Sequence, residues 1–321
     1  MIKAIIKHIN LKHNFKFVLI VFMFFNINVS YAQQEPHYAQ YKYNMQVLNP
    51  AFVGSKSDLN ASLLTRQQWM NVEGAPETTT FSVNTRLKSG FGIGATVISD
   101  QIGLVDNTNL NLDVSYTVPT SQFGRLALGV KSGISFFNND LASGTTVDNE
   151  VYASTSGNYG NLGFGMLYSS KDYYVGLSVQ NLFKSPVFEL QDDIQTVKGL
   201  ERGNYFLTGG TAINLSKFND VVFYPSAMIK YTPTLPLSVD MNANFVYNSK
   251  FEAGISYRIQ KSISAMVSVI LNEKFRIGYA YENYMTGLGK NLNTHEILLR
   301  IDLKFGDNND RRWLNMDCCD Y

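Results

Sequence analysis

The sequence predicts an all-β fold, a transmembrane antiparallel β-barrel of about 14 strands closed between its first and last strands. Three observations predict it: a basic, apolar leader, ten-residue segments that alternate apolar and polar residues, and connections whose lengths sort by parity. The leader compartmentalises the chain. Lys3, Lys7, Lys12 and Lys16 precede the apolar run FVLIVFMFF (17–25), and small residues follow at Ser30 and Ala32. This pattern predicts a secretory signal peptide over 1–32, because nine apolar residues are far short of the roughly 20 that span a bilayer as a helix. The 289 residues from Gln33 to Tyr321 are long enough for one large β domain.

The alternation is clearest in NLNLDVSYTV (109–118), where Leu110, Leu112, Val114, Tyr116 and Val118 face away from Asn109, Asn111, Asp113, Ser115 and Thr117. LPLSVDMNANFVY (235–247) and FEAGISYRIQ (251–260) repeat it, and so does THEILLRIDLKF (294–305). A period of two is the strand signature, and about ten residues are what a tilted strand needs to cross a bilayer. Fourteen segments fit: 59–70, 77–87, 91–99, 108–118, 124–137, 159–169, 172–181, 203–215, 221–231, 236–247, 250–259, 262–271, 273–283 and 294–305. Their number is even, as single-chain bacterial barrels require.

The connections separate a membrane barrel from a soluble sandwich. The even-numbered ones (KSG, PTSQF, a turn near SSKD, SKFND, NS and Asn272) are short, whereas odd-numbered ones include NVEGAP, DQIGLVDN, 138–158, 182–202 and YMTGLGKNLN. TPTL and QK are short odd connections and do not help. Barrels have short periplasmic turns and longer outer loops, whereas a sandwich has no reason to sort them. With both termini then periplasmic, the domain reading is 1–32 signal peptide, 33–58 periplasmic N-terminal segment, 59–305 outer-membrane barrel and 306–321 periplasmic tail. Trp69, Phe91, Tyr116, Tyr247, Phe251, Tyr281 and Phe305 suit interfacial girdles.

Composition narrows the function classes. With 27 Lys and Arg against 26 Asp and Glu, the chain lacks the basic surface nucleic acid requires. Cys318 and Cys319, the only cysteines, sit at the C-terminal end and cannot form a disulfide framework. His295-Glu296 resembles the start of a zinc-protease helix, but the second histidine such a helix needs four residues on is Leu299. On a strand the two neighbours point to opposite faces. No nucleophile motif accompanies the remaining His37, so neither catalysis nor a metal or cofactor is expected. The Gly-rich GFGIG (90–94) and GNLGFG (160–165) lie inside strands, where glycine leaves the lumen face small or bends the strand. Lumen-facing charges (Arg66, Arg86, Asp113, Lys131, Asp240, Glu252, Arg258, Arg276, Glu282, Glu296, Arg300, Asp302) balance in sign, which favours an internal ion-pair lattice over a charge-selective pore.

The irregular stretches carry a resemblance. YKYNMQVLNPAFVGS (41–55), RQQWMNVEGAPETTTFSVN (66–84), DQIG (100–103), YVGLSVQNL (174–182), FYPSAMIKY (223–231), FEAGISYR (251–258), IGYAYE (277–282) and THEILLRIDLKF, in this order, resemble the PorP/SprF family of type IX secretion system outer-membrane proteins. The resemblance implies an outer-membrane barrel that assists secretion or surface anchoring of a large adhesin, in a system that also serves gliding motility. It implies as partners type IX components, the adhesin or its C-terminal domain, and periplasmic peptidoglycan-linked proteins. The positions that match the family pattern are Asn49, Pro50, Ala51, Gly54, Arg66, Trp69, Gly74, Pro76, His295 and Glu296. Pro50 predicts an ordered turn before the first strand, tucked under the barrel mouth, while Gly74 and Pro76 shape the first outer loop. The loops at 138–158 and 182–202 are candidate contacts for a secreted partner. A porin or solute transporter is the alternative from a different class.

Overall fold

The computed structural model describes residues 37–55, 59–70, 72–140, 155–183, 185–186, 200–201, 203–216, 220–233, 235–272, 274–285 and 293–303. The leader at 1–32 and the tail with Phe305, Cys318 and Cys319 lie outside them, as does most of the two loops proposed as contacts. No helix among the described residues is long and apolar enough to cross a membrane.

All fourteen expected strands form. They are β1 (Leu59–Gln67), β2 (Glu77–Arg86), β3 (Phe91–Ile102), β4 (Val105–Pro119), β5 (Arg125–Asn139), β6 (Thr155–Ser169) and β7 (Tyr173–Gln180). After them come β8 (Asn204–Thr211), β9 (Val221–Tyr231), β10 (Ser238–Tyr247), β11 (Phe251–Arg258), β12 (Ser262–Leu271), β13 (Phe275–Tyr284) and β14 (Asn293–Leu303). Each pairs antiparallel with its neighbours, and β1 pairs with β14 from Leu59–Leu303 to Gln67–His295, which closes the sheet on itself. Closure leaves no sheet edge unpaired, the condition for backbone amides to survive in hydrocarbon. Ser185–Pro186 and Leu200–Glu201 form a small ladder of their own. The β8–β9 ladder breaks at Ala212 and resumes at Ile213–Asn214, just beyond the Gly210–Ser226 pair, where Pro225 has no N–H to give.

Two of the boundaries that differ from expectation have a visible backbone cause. β1 stops at Gln67 because Trp69 takes a positive φ of 45° that turns the chain. DQIGLVDN is no loop: β3 and β4 run on to a turn of Gly103 and Leu104, with Gly103 at φ +60°. A glycine tolerates that conformation and lets a two-residue turn replace a long connection. Asn248 and Ser249, both at positive φ, make the expected tight turn between β10 and β11.

The barrel is inverted relative to a soluble protein. Outward positions are apolar and exposed, among them Leu110, Leu112 and Val114 on β4 and Ile297, Leu299 and Ile301 on β14. Phe91 and Tyr116, with ring centroids 4.7 Å apart, and Tyr247 and Phe251 stand outward at the ends of their strands. Inward positions are polar and buried: Asn60, Ser62 and Arg66 on β1; Thr78, Thr80 and Ser82 on β2; Glu296 and Arg300 on β14. Such a lumen is what apolar-out, polar-in strands predict. We call the mouth carrying the odd-numbered connections the loop end, and the opposite mouth, where β1 starts, the turn end.

The lumen is occupied. The segment expected under the barrel mouth lies inside it, with every residue from Tyr38 to Ser55 buried. It comprises two 3-10 turns, Tyr41–Tyr43 and Pro50–Phe52, and one short α-helical turn, Met45–Leu48, which we call α1. His37 lies by Asp240 near the loop end, and Lys42 reaches Glu252 near the turn end. Leu48 returns to Gln180 at the loop-end tip of β7, after which Val53 meets Ser115 toward the turn end and the chain enters β1. Apolar plug residues (Tyr41, Met45, Leu48, Phe52) cluster with inward Leu64, Leu167, Met228 and Leu298 from the wall. Leu298, an apolar residue on the charged face of β14, therefore has a partner: it is fully buried against the plug.

Candidate functional site

Two kinds of contact hold the plug. Its first half, Tyr38 to Tyr43, meets charged side chains from the last strands. Glu296 on β14 accepts the Ala39 amide (2.8 Å) and the Gln40 amide (3.1 Å), one on each carboxylate oxygen. The same carboxylate pairs with Arg66 of β1, whose guanidinium also lies 2.8 Å from Glu282 and donates to the Tyr284 hydroxyl at 3.2 Å. Arg66 is fully buried, so Glu296 joins three things at once: the plug, β14 and β1, the pair that closes the barrel. A buried arginine is tolerable only when paired in this way.

Toward the turn end, Lys42 pairs with Glu252, which Arg276 also contacts at 2.6 Å. Burial pulls the Lys42 ammonium below the usual lysine pKa, and Glu252 opposes that shift. Arg276 stacks on the Tyr43 ring, 4.7 Å from its centroid, and Arg300 donates to the Tyr43 carbonyl at 2.9 Å. The balanced lumen charges thus form an ion-pair lattice, and part of it is addressed to the plug.

The second half, Asn44 to Ser55, is held mainly by neutral groups on β2 to β7. The Asn49 side chain accepts from Ala51 N at 2.9 Å, capping the turn that Pro50 starts, and donates to the carbonyls of Met166 (3.1 Å) and Leu177 (3.3 Å). One amide therefore fixes the turn and anchors it to β6 and β7. Ser178 and Gln180 donate to the Leu48 carbonyl, and Gln46 donates to Thr96 (3.0 Å) and Asp113 (3.2 Å). Asp113 also holds Lys131 at 3.0 Å, and that ammonium reaches Gln46 O at 3.2 Å.

Here the strand glycines acquire a purpose. A Cβ on Gly165 would lie 2.0 Å from Asn49 Oδ1, and one on Gly129 would lie 2.4 Å from Ala51 N. Gly92 and Gly94 likewise meet Val53 and Gln46. Any side chain at Gly129 or Gly165 would fill the space the plug backbone occupies. Gly54, at φ +68° with its Cβ direction 2.8 Å from Gly92 Cα, turns the chain out of the plug, and Arg86 binds the carbonyls of Gly54 (2.7 Å) and Ser55 (2.9 Å).

The ten family-pattern positions fall in four places. Asn49, Pro50, Ala51 and Gly54 belong to the plug, and Arg66 and Glu296 to the network beside it. Trp69, Gly74 and Pro76 belong to the first odd connection: Trp69 packs edge-on to Tyr284 (6.4 Å), Pro76 O accepts from Gln68 N (2.9 Å), and Gly74 O accepts from Gly103 N (3.0 Å). His295 stands alone on the outer face, with Nδ1 2.7 Å from the Tyr279 hydroxyl and its ring against Tyr281. It points away from Glu296, as alternation requires, and no cluster of metal-ligating side chains occurs among the described residues.

The sequence reading missed that residues 37–55 fill the barrel, although a signal was present. Between His37 and Ser55 the only charged residue is Lys42, while Tyr38, Tyr41, Tyr43, Met45, Val47, Leu48, Phe52 and Val53 supply more apolar surface than a solvated linker can expose.

No curated protein matches the chain. Among solved structures, a monoaromatic hydrocarbon channel, CymD, is 12% identical, with 82% of this chain and 91% of that chain covered and a TM-score of 0.47. The TodX deltaS2S3 mutant monoaromatic hydrocarbon channel is 12% identical over 80% of this chain and 92% of its own (TM-score 0.45), and Acinetobacter baumannii Omp33 8% identical over 78% and 100% (TM-score 0.44). A family model, type IX secretion system membrane protein PorP/SprF, matches residues 30–301, which contain the plug and nearly the whole barrel. The chain is an outer-membrane β-barrel and belongs to the PorP/SprF family of type IX secretion system membrane proteins.

Proposed function

We propose that this barrel is a plugged, non-enzymatic scaffold that assists secretion or surface anchoring of a large adhesin-like substrate of the type IX system and so serves gliding motility. The observation that carries the reading is the filled lumen. Tyr38 to Ser55 are buried and bonded to strands around the ring. A lumen occupied by the protein's own chain suits an anchor better than a solute channel. Membership of a secretion family supports a macromolecular partner.

The loop end then faces outward, following the rule that short turns are periplasmic. Gly74 and Pro76, with the loops at 138–158 and 182–202, are the candidate contacts for the adhesin or its C-terminal domain, and the turn end is the candidate contact for periplasmic peptidoglycan-linked components. The signal peptide over 1–32 delivers the chain to this membrane.

A deletion strain tests the proposal. Loss of the surface adhesin with unchanged uptake of small solutes is the expected outcome, restored by the wild-type gene. Unchanged adhesin display together with lost solute uptake would instead make the protein a porin.

A further inference from the structure

His295 is a family-pattern residue to which neither the plug nor the closing network gives a task. It stands outward near the loop end of β14, directly opposite Gln67 of β1 on one side and Tyr281 of β13 on the other. Its ring lies against two tyrosines, with centroids 6.0 Å from Tyr279 and 5.4 Å from Tyr281. The Tyr279 hydroxyl, 2.7 Å from Nδ1, fixes the imidazole. Among the described residues, the other ring nitrogen, the Tyr281 hydroxyl and the Gln67 amide make no hydrogen bond. Gln67 is exposed, and Tyr281 and His295 are part-exposed.

The wall beneath this polar row changes character in two steps. Two residues toward the turn end the outward row is Tyr279, Ile297 and Thr65; two further on it is Ile277, Leu299 and Leu63, all apolar and exposed. About 13 Å of strand separates the polar row from the apolar one. A neighbour that satisfies both is an amphiphile lying along the strands, with its head at His295 and its tails at Leu299. Anionic heads are recognised by clusters of Lys and Arg. This row has neither, and its next member, Glu77 opposite Gln67, is acidic. Its free groups are neutral and between them donate and accept, beside aromatic faces, which complements the hydroxyls and C–H surface of a sugar.

We propose that the outer face of β13, β14 and β1 at the loop end binds the neutral saccharide head of a membrane glycolipid. Gln67, Tyr281 and His295 bond to its hydroxyls, and its acyl chains lie along Ile277, Leu299 and Leu63. Binding does not depend on the secretion reading; only its assignment to the outer leaflet rests on the loop end facing outward.

The test mixes the purified full chain in detergent with equimolar diglucosyl diacylglycerol, phosphatidylglycerol and phosphatidylethanolamine, all with dioleoyl chains, and reads the retained lipids by native mass spectrometry. The glycolipid should be retained over phosphatidylglycerol by about fivefold or more, the span of two neutral hydrogen bonds. The double substitution Gln67→Leu with His295→Leu should erase that preference while the folded band on unboiled gels stays in place. Tyr247→Ala, which removes an outward tyrosine at the turn end, should retain the glycolipid as wild type does. Three results would overturn the proposal: phosphatidylglycerol retained as well as the glycolipid or better, an undiminished preference in the double variant, or loss of the preference in Tyr247→Ala, which would make it a general effect of the aromatic girdle.

Discussion

The two halves of the plug are held by opposite strategies. Tyr38 to Tyr43 meet Glu252, Arg276, Glu296 and Arg300 on β11 to β14, a wall that recognises the plug by charge. Asn44 to Ser55 meet a wall that has given up side chains at Gly92, Gly94, Gly129 and Gly165 so that the plug backbone can approach, and that recognises it by shape and mainly neutral hydrogen bonds, with Asp113, Lys131 and Arg86 as its charged contacts. Charge tolerates small displacements but is costly to leave unpaired, whereas a close-packed glycine contact tolerates no added atom. Substitutions on the two walls should therefore fail differently.

The largest effect is expected on the charged wall. Arg66→Ala leaves Glu282 and Glu296 buried without their shared cation, which costs about 3–5 kcal/mol. Thermal unfolding in detergent, read from the shift of the folded band on unboiled gels, should show a large loss of stability, and Arg66→Lys only a partial rescue because one ammonium cannot span both carboxylates with a fork. On the shape wall, Gly165→Val forces Asn49 to move, at a cost of about 1–3 kcal/mol for overpacking. The barrel should still close, because β6 keeps its ladder, but limited proteolysis should now cut between Tyr38 and Ser55. If Gly165→Val unfolds the barrel as thoroughly as Arg66→Ala does, the division between the walls is wrong.

Smaller effects sharpen the same contrast. Asn49→Ala removes a cap and two carbonyl contacts, a loss of about 1–2 kcal/mol by denaturant titration. Asn49→Asp should cost at least as much, since it keeps the cap acceptor but turns an oxygen toward two carbonyls. The smallest effect should come from His295→Ala, which lies outside both walls and whose ring meets Tyr279 and Tyr281; its stability should stay within about 0.5 kcal/mol of wild type. A larger change would give His295 a role that its position on the outer face does not explain.

Strands were the legible part of the sequence because a period of two writes itself into ten consecutive residues. THEILLRIDLKF placed Ile297, Leu299 and Ile301 outward and Glu296 and Arg300 inward, and the structure does the same. Pairing of lumen charges followed from their balance of sign. What the sequence hid was everything that depends on contact across the lumen. Residues 41–55 have no period to read, because their contacts are spread over several strands. Gly165 looks like a strand weakness until Asn49 is placed against it. Glu296 was recognisable as a family-pattern residue, but its work, joining the Ala39 and Gln40 amides to Arg66 across the closing pair of strands, joins residues up to 257 apart in the chain. DQIGLVDN misled for the opposite reason: its polar residues read as a loop, while Gly103 and Leu104 supply the whole turn.

Hydrogen exchange of the wild-type protein in nanodiscs tests the central claim, that residues 38–55 fill the barrel, without altering a single contact. The amides of Ala39, Gln40, Ala51 and Val53 are each bonded inside the lumen. Peptides covering 38–55 should exchange as slowly as those from β13 and β14, over hours rather than seconds. Exchange of those peptides within seconds, beside protected strands, would show a solvated segment and contradict the plug.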